Sequence, residues 1–588
     1  MSSFRKPFRL LAALPFILFL IGYLVYQERQ TERPEQIEVT TAGFLEMCLS
    51  CHKDEQPDPA HAAQVIGCSP CHLGDAAAID KDKAHKGMVL NPGDLRVVEK
   101  SCGKAGCHPA DVQKVKNSLM ATNRGILSTL LYYWGERDTQ HAGITVEQLL
   151  KSGENSLALD YYRKLCATCH LWKQKNDLPD KPELKFFNEK GGGCSACHYI
   201  PAKGDQRTTV TSFEDKKLEG KKPHPLTSKK VPDENCIRCH NRSGRIGISY
   251  TGLFEGEGYG TPYEQGKLSS KRLPGGRFYL EIAEDVHHTK GMSCIDCHTR
   301  EEIMGDGTQY VHYEEQLEIS CAGCHTKAPG LTRKGRKITN IKQEKDGGFV
   351  LTGRNDGQVR PLKPPKQDAC AYPGHKRLTC ESCHSTWVPQ CYGCHVKRDM
   401  TDTHLDKLSL QETPGWWKES RSYIRYEQPM LGVWKDKVVI VTPGCQDVVT
   451  LIDKNGKVEG GFNRFTMAAI NPHTTQAQGR ACADCHTSTK TVGLGQGTVT
   501  KKDGKWEFYP VDQGVDTLKG RTVPLDAFVT IDGKQLQHGS RPDLRPFNAE
   551  ELRRILRVGL CLQCHKRYDD PAYRDYDAKR ACPKYVEP

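Results

Sequence analysis

Apolar side chains are scarce in this chain. They make up 37% of its 588 residues, aromatic ones make up 8%, and the mean hydropathy is −0.62. Length alone suggests several domains, but this content is lean for conventional hydrophobic cores. Long apolar runs are missing too, apart from residues 10–26, seventeen positions without a charge. Methionine is rare, at nine residues, and no strict repeat recurs along the chain. What the chain has in quantity is cysteine, 27 residues of it.

Twenty-four of those cysteines fall into twelve pairs, and histidine follows the second cysteine every time. Eleven pairs have the spacing C-x-x-C-H. They are Cys48/Cys51/His52, Cys68/Cys71/His72, Cys166/Cys169/His170, Cys194/Cys197/His198, Cys236/Cys239/His240 and Cys294/Cys297/His298. Cys321/Cys324/His325, Cys380/Cys383/His384, Cys391/Cys394/His395, Cys482/Cys485/His486 and Cys561/Cys564/His565 complete them. The twelfth is stretched by two residues: Cys102/Cys107/His108. Paired thiols at this spacing add across the two vinyl groups of a haem, and the adjacent histidine becomes the proximal iron ligand. A zinc ribbon needs no histidine after its second cysteine, and a thioredoxin-like site needs one pair, not twelve. The expected cofactor is therefore haem c, covalently bound, eleven or twelve per chain. At Cys102/Cys107 the alternatives are attachment, with Gly103 and Gly106 letting the loop bulge, or a disulfide or metal loop.

Of 23 histidines, eleven lie outside the motifs: His61, His85, His141, His224, His287, His288, His312, His375, His404, His473 and His538. A lone spare histidine is usually a surface or hydrogen-bonded core residue. Eleven beside twelve motifs instead suggest distal ligands of bis-histidine irons, which pass electrons without binding substrate. Twelve such irons need one histidine more than the chain offers. Either one iron takes methionine, lysine or an open position, or the stretched motif holds no haem. Met47, Met88, Met120, Met292, Met304, Met400, Met430 and Met467 are available, although packing is the ordinary role of methionine.

Arg5, Lys6 and Arg9 precede the apolar run, and no small-residue cleavage site follows it closely. That pattern predicts an uncleaved anchor in the inner membrane with the haem domain in the periplasm. The alternative is a cleaved leader and a secreted or outer-surface protein. The formal charge of +12 does not indicate nucleic-acid binding. Propionates on a dozen haems would add about −24, offset by about +12 from ferric irons.

The expected layout has residues 1–27 as signal anchor, 28–45 as linker and 46–140 as a first haem module. Haem modules at 141–335 and 336–409, a β-rich insert at 410–475 and a last haem module at 476–588 with a β insert follow. Helices are predicted over 110–134 and 146–165, and Asn548-Ala549-Glu550-Glu551 reads as a capping box ahead of Cys561. Strand-like runs KVVIV and DVVTLI and turns at Asn455-Gly456, Asp503-Gly504 and Asp532-Gly533 mark the β elements. Trp416-Trp417 reads as core, or as a docking surface. Cys370, Cys445 and Cys582 are left over, for one disulfide with a spare thiol, or for a reactive or ligating role.

From Cys48 to His565 these motifs resemble those of the large multihaem c-type cytochromes of anaerobically respiring bacteria. The C-x4-C-H spacing is similar to one found in small tetrahaem cytochromes of sulfate reducers, which favours attachment at Cys102/Cys107. The resemblance implies a fold of loops and short helices wrapped around stacked haems, with small β inserts and one N-terminal transmembrane helix. It implies electron transport between the inner membrane and periplasmic or outer-surface acceptors, with redox proteins as partners. The alternative is a multihaem oxidoreductase of nitrite, hydroxylamine or tetrathionate type with one open iron. No C-x-x-C-K motif is present, so a lysine-ligated nitrite-reductase site has no residues to form it.

Overall fold

The computed structural model describes residues 19–24, 38–40, 43, 45–173 except 54, 56 and 142, 191–200, and 224–255 except 242–245. It further describes 271–273, 277–511 except 367–369, 371 and 504, then 514–516, and 521–574 except 568 and 569.

The largest element is a six-stranded mixed sheet. Its strands are β1 (Val388–Asp406), β2 (Gln411–Glu427), β3 (Met430–Trp434), β4 (Lys437–Ile452), β5 (Val458–Ala469) and β6 (His538–Gly539). They run in the order β2-β1-β4-β5-β6, with β3 also paired to β4. The β1–β4 and β5–β6 pairs are parallel and the others antiparallel. The runs KVVIV and DVVTLI are two parts of β4; the first pairs with β3 and the second with β1. The turn between β4 and β5 forms as expected, with Gly456 at φ +77° and Asp453 N–H donating to Lys457 O at 2.8 Å. Strands Gly497–Lys502 and Lys505–Pro510 form the second hairpin, and Val529 bridges Gln535 across the third turn.

This sheet corrects the expectation of loops and short helices carrying small β inserts. It begins at Val388, so the C-x-x-C-H text at 391–395 lies inside a 19-residue strand. Its strand β1 pairs with β2 across 5 to 39 positions and with β4 across 53, and no local signal announces the more distant pairing.

The transmembrane helix and the inner-membrane anchoring built on it are corrected as well. Among the described residues no helix is long and apolar enough to cross a membrane. Residues 19–24 are helical, and six residues rise about 9 Å against a hydrocarbon core of about 30 Å. The rest of the run at 10–26 lies outside the described residues, as do Cys582 and most of the 28–45 linker.

The helix predicted over 110–134 divides into Pro109–Asn117, Leu119–Thr122 and Arg124–Tyr133. Ser118 is extended (ψ 156°) and Asn123 left-handed (φ +49°), and Asn123 Nδ2 donates to the Tyr162 hydroxyl at 2.8 Å. The helix predicted over 146–165 is likewise Val146–Ser152, closed by left-handed Gly153, then Leu157–Tyr161 and a π turn Tyr162–Cys166. The capping box at Asn548/Glu551 is present and opens helix Ala549–Cys561.

The main core lies where these helices meet the sheet. Trp134, Tyr161 and Trp417 stack within 5.0–5.9 Å of one another, and Trp417 is only 2% exposed, while Trp416 is exposed. Each such ring pair adds about 0.5–1.5 kcal/mol beyond burial. Beside them Asp160 accepts from Trp417 Nε1 (2.8 Å) and Arg398 Nε (3.0 Å) and pairs with Lys164 Nζ (2.9 Å). Lys164 is fully buried and also donates to the carbonyls of Pro414 and Gly415 at 2.6 and 2.8 Å. Arg163 pairs with Asp406 at 3.1 Å. This network pins the turn carrying Cys166 to β1 and β2.

Candidate functional site

Ten of the motifs fold into helical turns or tight turns, for a reason visible in their backbone. In seven of them the N–H of the histidine donates to the carbonyl of its first cysteine: 2.8 Å in Cys48–His52, 2.9 Å in Cys68–His72 and Cys561–His565, 2.7 Å in Cys321–His325. It is 3.0 Å in Cys194–His198, Cys236–His240 and Cys294–His298, and Cys380–His384 and Cys482–His486 are helices. Cys166–His170 continues the π turn, with Thr168 N–H donating to Cys166 O at 2.7 Å. Such turns set thiols three residues apart on one face, about 5–6 Å between Cβ atoms.

The stretched motif closes the same way. His108 N–H donates to Cys102 O at 2.8 Å despite the two extra residues, which Gly106 absorbs at φ +84°. Cys391–His395 does not close. Its residues pair across the sheet, Cys391 with Ile424 and Cys394 with Asp447, and three strand positions span about 10 Å. Cys391 packs with Phe254, Trp387 and Ile424, whereas Cys394 packs in the main core and His395 is exposed.

The paired cysteines are not equally enclosed. Cys51, Cys107 and Cys564 are exposed, and so is Cys380, while the other paired cysteines are at least partly buried. Cys51, Cys107 and Cys564 are each the second cysteine of their motif, on the outward side of a surface turn. Their neighbours Lys53, Gly106 and Gln563 are exposed with them, so no apolar packing covers these three thiols. Their partners Cys48, Cys102 and Cys561 face inward and are partly buried. Both leftover cysteines among the described residues, Cys370 and Cys445, are exposed as well.

Six motif histidines each face one spare histidine. Ring centroids are 6.0 Å apart for His52–His85, 5.9 Å for His72–His224 and 6.4 Å for His108–His61. They are 6.0 Å for His325–His287 and 6.1 Å for both His298–His473 and His486–His375. Of the other spare histidines, His141 and His312 face each other at 5.3 Å. His288 lies against Tyr250, His404 Nδ1 accepts from Trp417 N–H at 3.3 Å, and His538 is exposed on β6.

The rings are held by one nitrogen. Nδ1 lies 2.8–3.0 Å from the carbonyls of Val89 (His72), Ser228 (His198), Lys363 (His325), Gln476 (His384) and Ile555 (His486). Among the spare rings, His224 and His473 use Pro225 O and Asn471 O. Carboxylates do the same for His298 (Glu302, 3.0 Å), His565 (Asp570, 3.0 Å), His287 (Asp285, 2.8 Å), His288 (Glu284, 2.9 Å) and His61 (Asp58, 3.1 Å). This pattern leaves Nε2 for another partner. Nothing in the sequence had singled out these carboxylates, although Glu302, four residues after His298, was within reach of a helical-spacing argument. Burial pulls the basicity of the rings down: His72, His473 and His486 fall below the usual range, His375 to about 4 and His170 to about 3. They are neutral imidazoles with a lone pair to offer. His312 is buried with neither ring nitrogen hydrogen-bonded. Burial also pushes the Cys71 and Cys197 thiols up, to about 11 and about 12.

One continuous cavity of about 3460 Å³ runs past Cys166–His170, Cys236–His240, Cys294–His298, Cys321–His325, Cys380–His384 and Cys482–His486. Ordinary small-molecule pockets hold about 300–1,000 Å³. Lysines and arginines along its wall, among them Arg333, Lys363, Arg464, Arg480 and Arg554, outnumber the acids.

The expectation of metal binding is corrected in one respect. Among the described residues no three His, Cys, Asp or Glu side chains converge so as to hold a metal ion by themselves. The histidines meet in twos, and two donors are too few for a bare ion. No family model, curated protein or solved structure matches the chain.

Proposed function

We propose that this chain is an electron-transfer cytochrome c carrying covalently bound haem c at its eleven turn-closed motifs. The six histidine ring pairs carry the reading. Two imidazoles bound through Nε2 on opposite faces of one iron, at roughly 2 Å per bond, hold their centroids about 6 Å apart. Six pairs fall at 5.9–6.4 Å, each joining one motif histidine to one spare histidine.

Haem bound at such a site supplies a one-electron iron couple within a ring of four equatorial nitrogens. The chain's part is to tether, orient and shield it. The paired cysteines offer thioether links from one face of a turn. Where they are made, the hydrogen bonds at Nδ1 fix the ring's direction and raise its basicity toward metal. Burial keeps the imidazoles neutral, and the basic wall of the cavity suits propionate carboxylates. At the six paired sites the two histidines would leave a bound iron no place for substrate, which favours a carrier working between redox protein partners over an oxidoreductase.

Intact-mass measurement of the purified protein, with low-temperature EPR and carbon monoxide titration, tests this. Eleven haems, low-spin ferric signals and no carbon monoxide binding are expected. A chain without haem would overturn the reading, and a stoichiometric high-spin signal with carbon monoxide binding would replace it with an enzyme bearing an open iron.

A further inference from the structure

His141 and His312 face each other rather than a motif histidine. His141 lies in the exposed turn that follows helix Arg124–Tyr133, its N–H donating to Thr139 Oγ1 at 3.1 Å. His312 opens helix Tyr313–Gln316, where the Glu315 carboxylate accepts from the amides of Val311 (2.9 Å) and His312 (3.1 Å). Both segments are fastened to helix Arg124–Tyr133. Gln140 Nε2 donates to the Tyr133 hydroxyl at 3.2 Å, and Arg124 Nη1 donates to Gln309 O at 2.7 Å. At Gly125 the helix comes so close that a Cβ would lie 2.8 Å from Val311 O.

The spacing of this pair differs from that of the other six. A ring nitrogen bound to a metal at about 2.0–2.1 Å puts the ring centre about 3.2 Å from the ion. Ligands on opposite faces then hold their centres about 6 Å apart, the separation of the six motif pairs. The 5.3 Å between His141 and His312 corresponds instead to about 110° at a shared ion, the tetrahedral angle.

Packing of two rings would account for that distance, but not for the unpaired atoms around it. His312 is 3% exposed, and neither of its nitrogens has a hydrogen-bond partner. Burial, and then the charge of Arg541, lower its basicity, so the ring is neutral and has a lone pair to give. Gln140, next to His141 and 8% exposed, also keeps its Oε1 buried without a partner. So does Glu314, whose other oxygen accepts from Arg541 Nε at 2.7 Å. Buried acceptors without donors are costly, and a cation answers all of them at once. The charges of Glu314 and Glu315 act on His312 against that of Arg541, and Glu315 feels both rings.

We propose that His141 and His312 hold a tetrahedral divalent metal ion of the zinc type, with water and the Gln140 side-chain carbonyl in the remaining positions. The ion ties the turn at 139–141 to the segment at 309–316. No motif residue takes part, so the site is independent of the haem reading.

Zinc binding to the full-length holoprotein tests it. After chelator treatment and equilibrium dialysis against Zn²⁺, the wild type is expected to hold one zinc more per chain than His312→Ala or His141→Ala, counted by elemental mass spectrometry. X-ray absorption at the zinc edge should show imidazole nitrogens at about 2.0 Å in a shell of about four neighbours. His141 is exposed, so its variant keeps the test open if His312→Ala fails to fold. No bound zinc, equal zinc in the wild type and both variants, or a six-neighbour shell would overturn the proposal. So would the loss of a low-spin iron signal from either variant, because that histidine would then be an iron ligand.

Discussion

Cys102–His108 and Cys391–His395 invert what their spacings promise. The first has two residues too many, yet His108 N–H reaches Cys102 O at 2.8 Å and its ring faces His61. The second has the regular spacing, yet lies extended, with Cys391 and Cys394 in different apolar clusters. The difference lies in what competes for the backbone. Around Cys102 the surplus loop, with Cys107 at its end, is exposed, and a glycine takes the left-handed turn at no steric cost. Around Cys391 two neighbouring strands claim the same N–H and C=O groups that a turn would use. A motif's covalent spacing sets which chemistry is within reach, and its neighbours set its shape.

The most direct way to break this comparison is to remove each pair of thiols. Cys102→Ala/Cys107→Ala should lose one haem from the intact mass, and Cys391→Ala/Cys394→Ala should lose none. Loss of a haem from the second variant would mean that the segment forms a turn when haem is attached and that β1 is shorter than drawn.

Next in size is the clamp that holds the sheet against the Cys166 turn. Asp160→Ala leaves Lys164, fully buried, without its carboxylate. Stripping one partner from a buried pair costs about 3–5 kcal/mol, which denaturant unfolding would register. A loss below about 1 kcal/mol would show that the network is not what pins the two regions together.

The two regions should also respond to pH with opposite signs. Burial drives Asp447, beside Cys394 in the ladder, up to about 7, against the opposing hydrogen bond from Trp134. Its folded value lies above its unfolded one, so the stability it contributes is complete below the ordinary carboxylate range and is lost as pH rises through about 7. Asp447→Asn should therefore flatten the fall in unfolding midpoint over that window. Glu551, on the helix that delivers Cys561, behaves in reverse. Burial would raise it, but Arg545 and Arg377 bring it down to about 2. Its contribution is present above the ordinary glutamate range and is lost as pH falls toward about 2, so Glu551→Gln should flatten the acid limb. A midpoint profile unchanged by either variant would remove the corresponding assignment.

The smallest effect belongs to the stretched loop. No atom crowds a Cβ at Gly106, so Gly106→Ala tests the left-handed backbone alone. It should cost about 1–2 kcal/mol in unfolding free energy. A neutral result would show that the loop closes without that conformation.

Much of the candidate site was legible in the text of the chain. The cysteine pairs, their histidines and the eleven spare histidines could be named from spacing and arithmetic, and the capping box at Asn548 from a local rule. The partnerships could not. His298 meets His473 across 175 positions and His72 meets His224 across 152, because helices and loops between them pack in three dimensions. Nor could the exposure of Cys51, Cys107 and Cys564, since spacing is silent on which side of a turn other segments cover. The breaks at Ser118, Asn123 and Gly153 were also hidden, since a side-chain bond to a distant tyrosine, or one left-handed residue, outweighs helical propensity.

By itself, then, the sequence determined which atoms are available: twenty-four paired thiols, the histidines beside them, and a lean supply of apolar side chains. Thioether spacing and ligand type are local properties, written within five to seven residues. Only the tertiary structure decided which histidine faces which, and why a stretched motif closes while a regular one is drawn into a strand. Those outcomes depend on backbone hydrogen bonds and buried charges that segments far apart in the chain compete to satisfy.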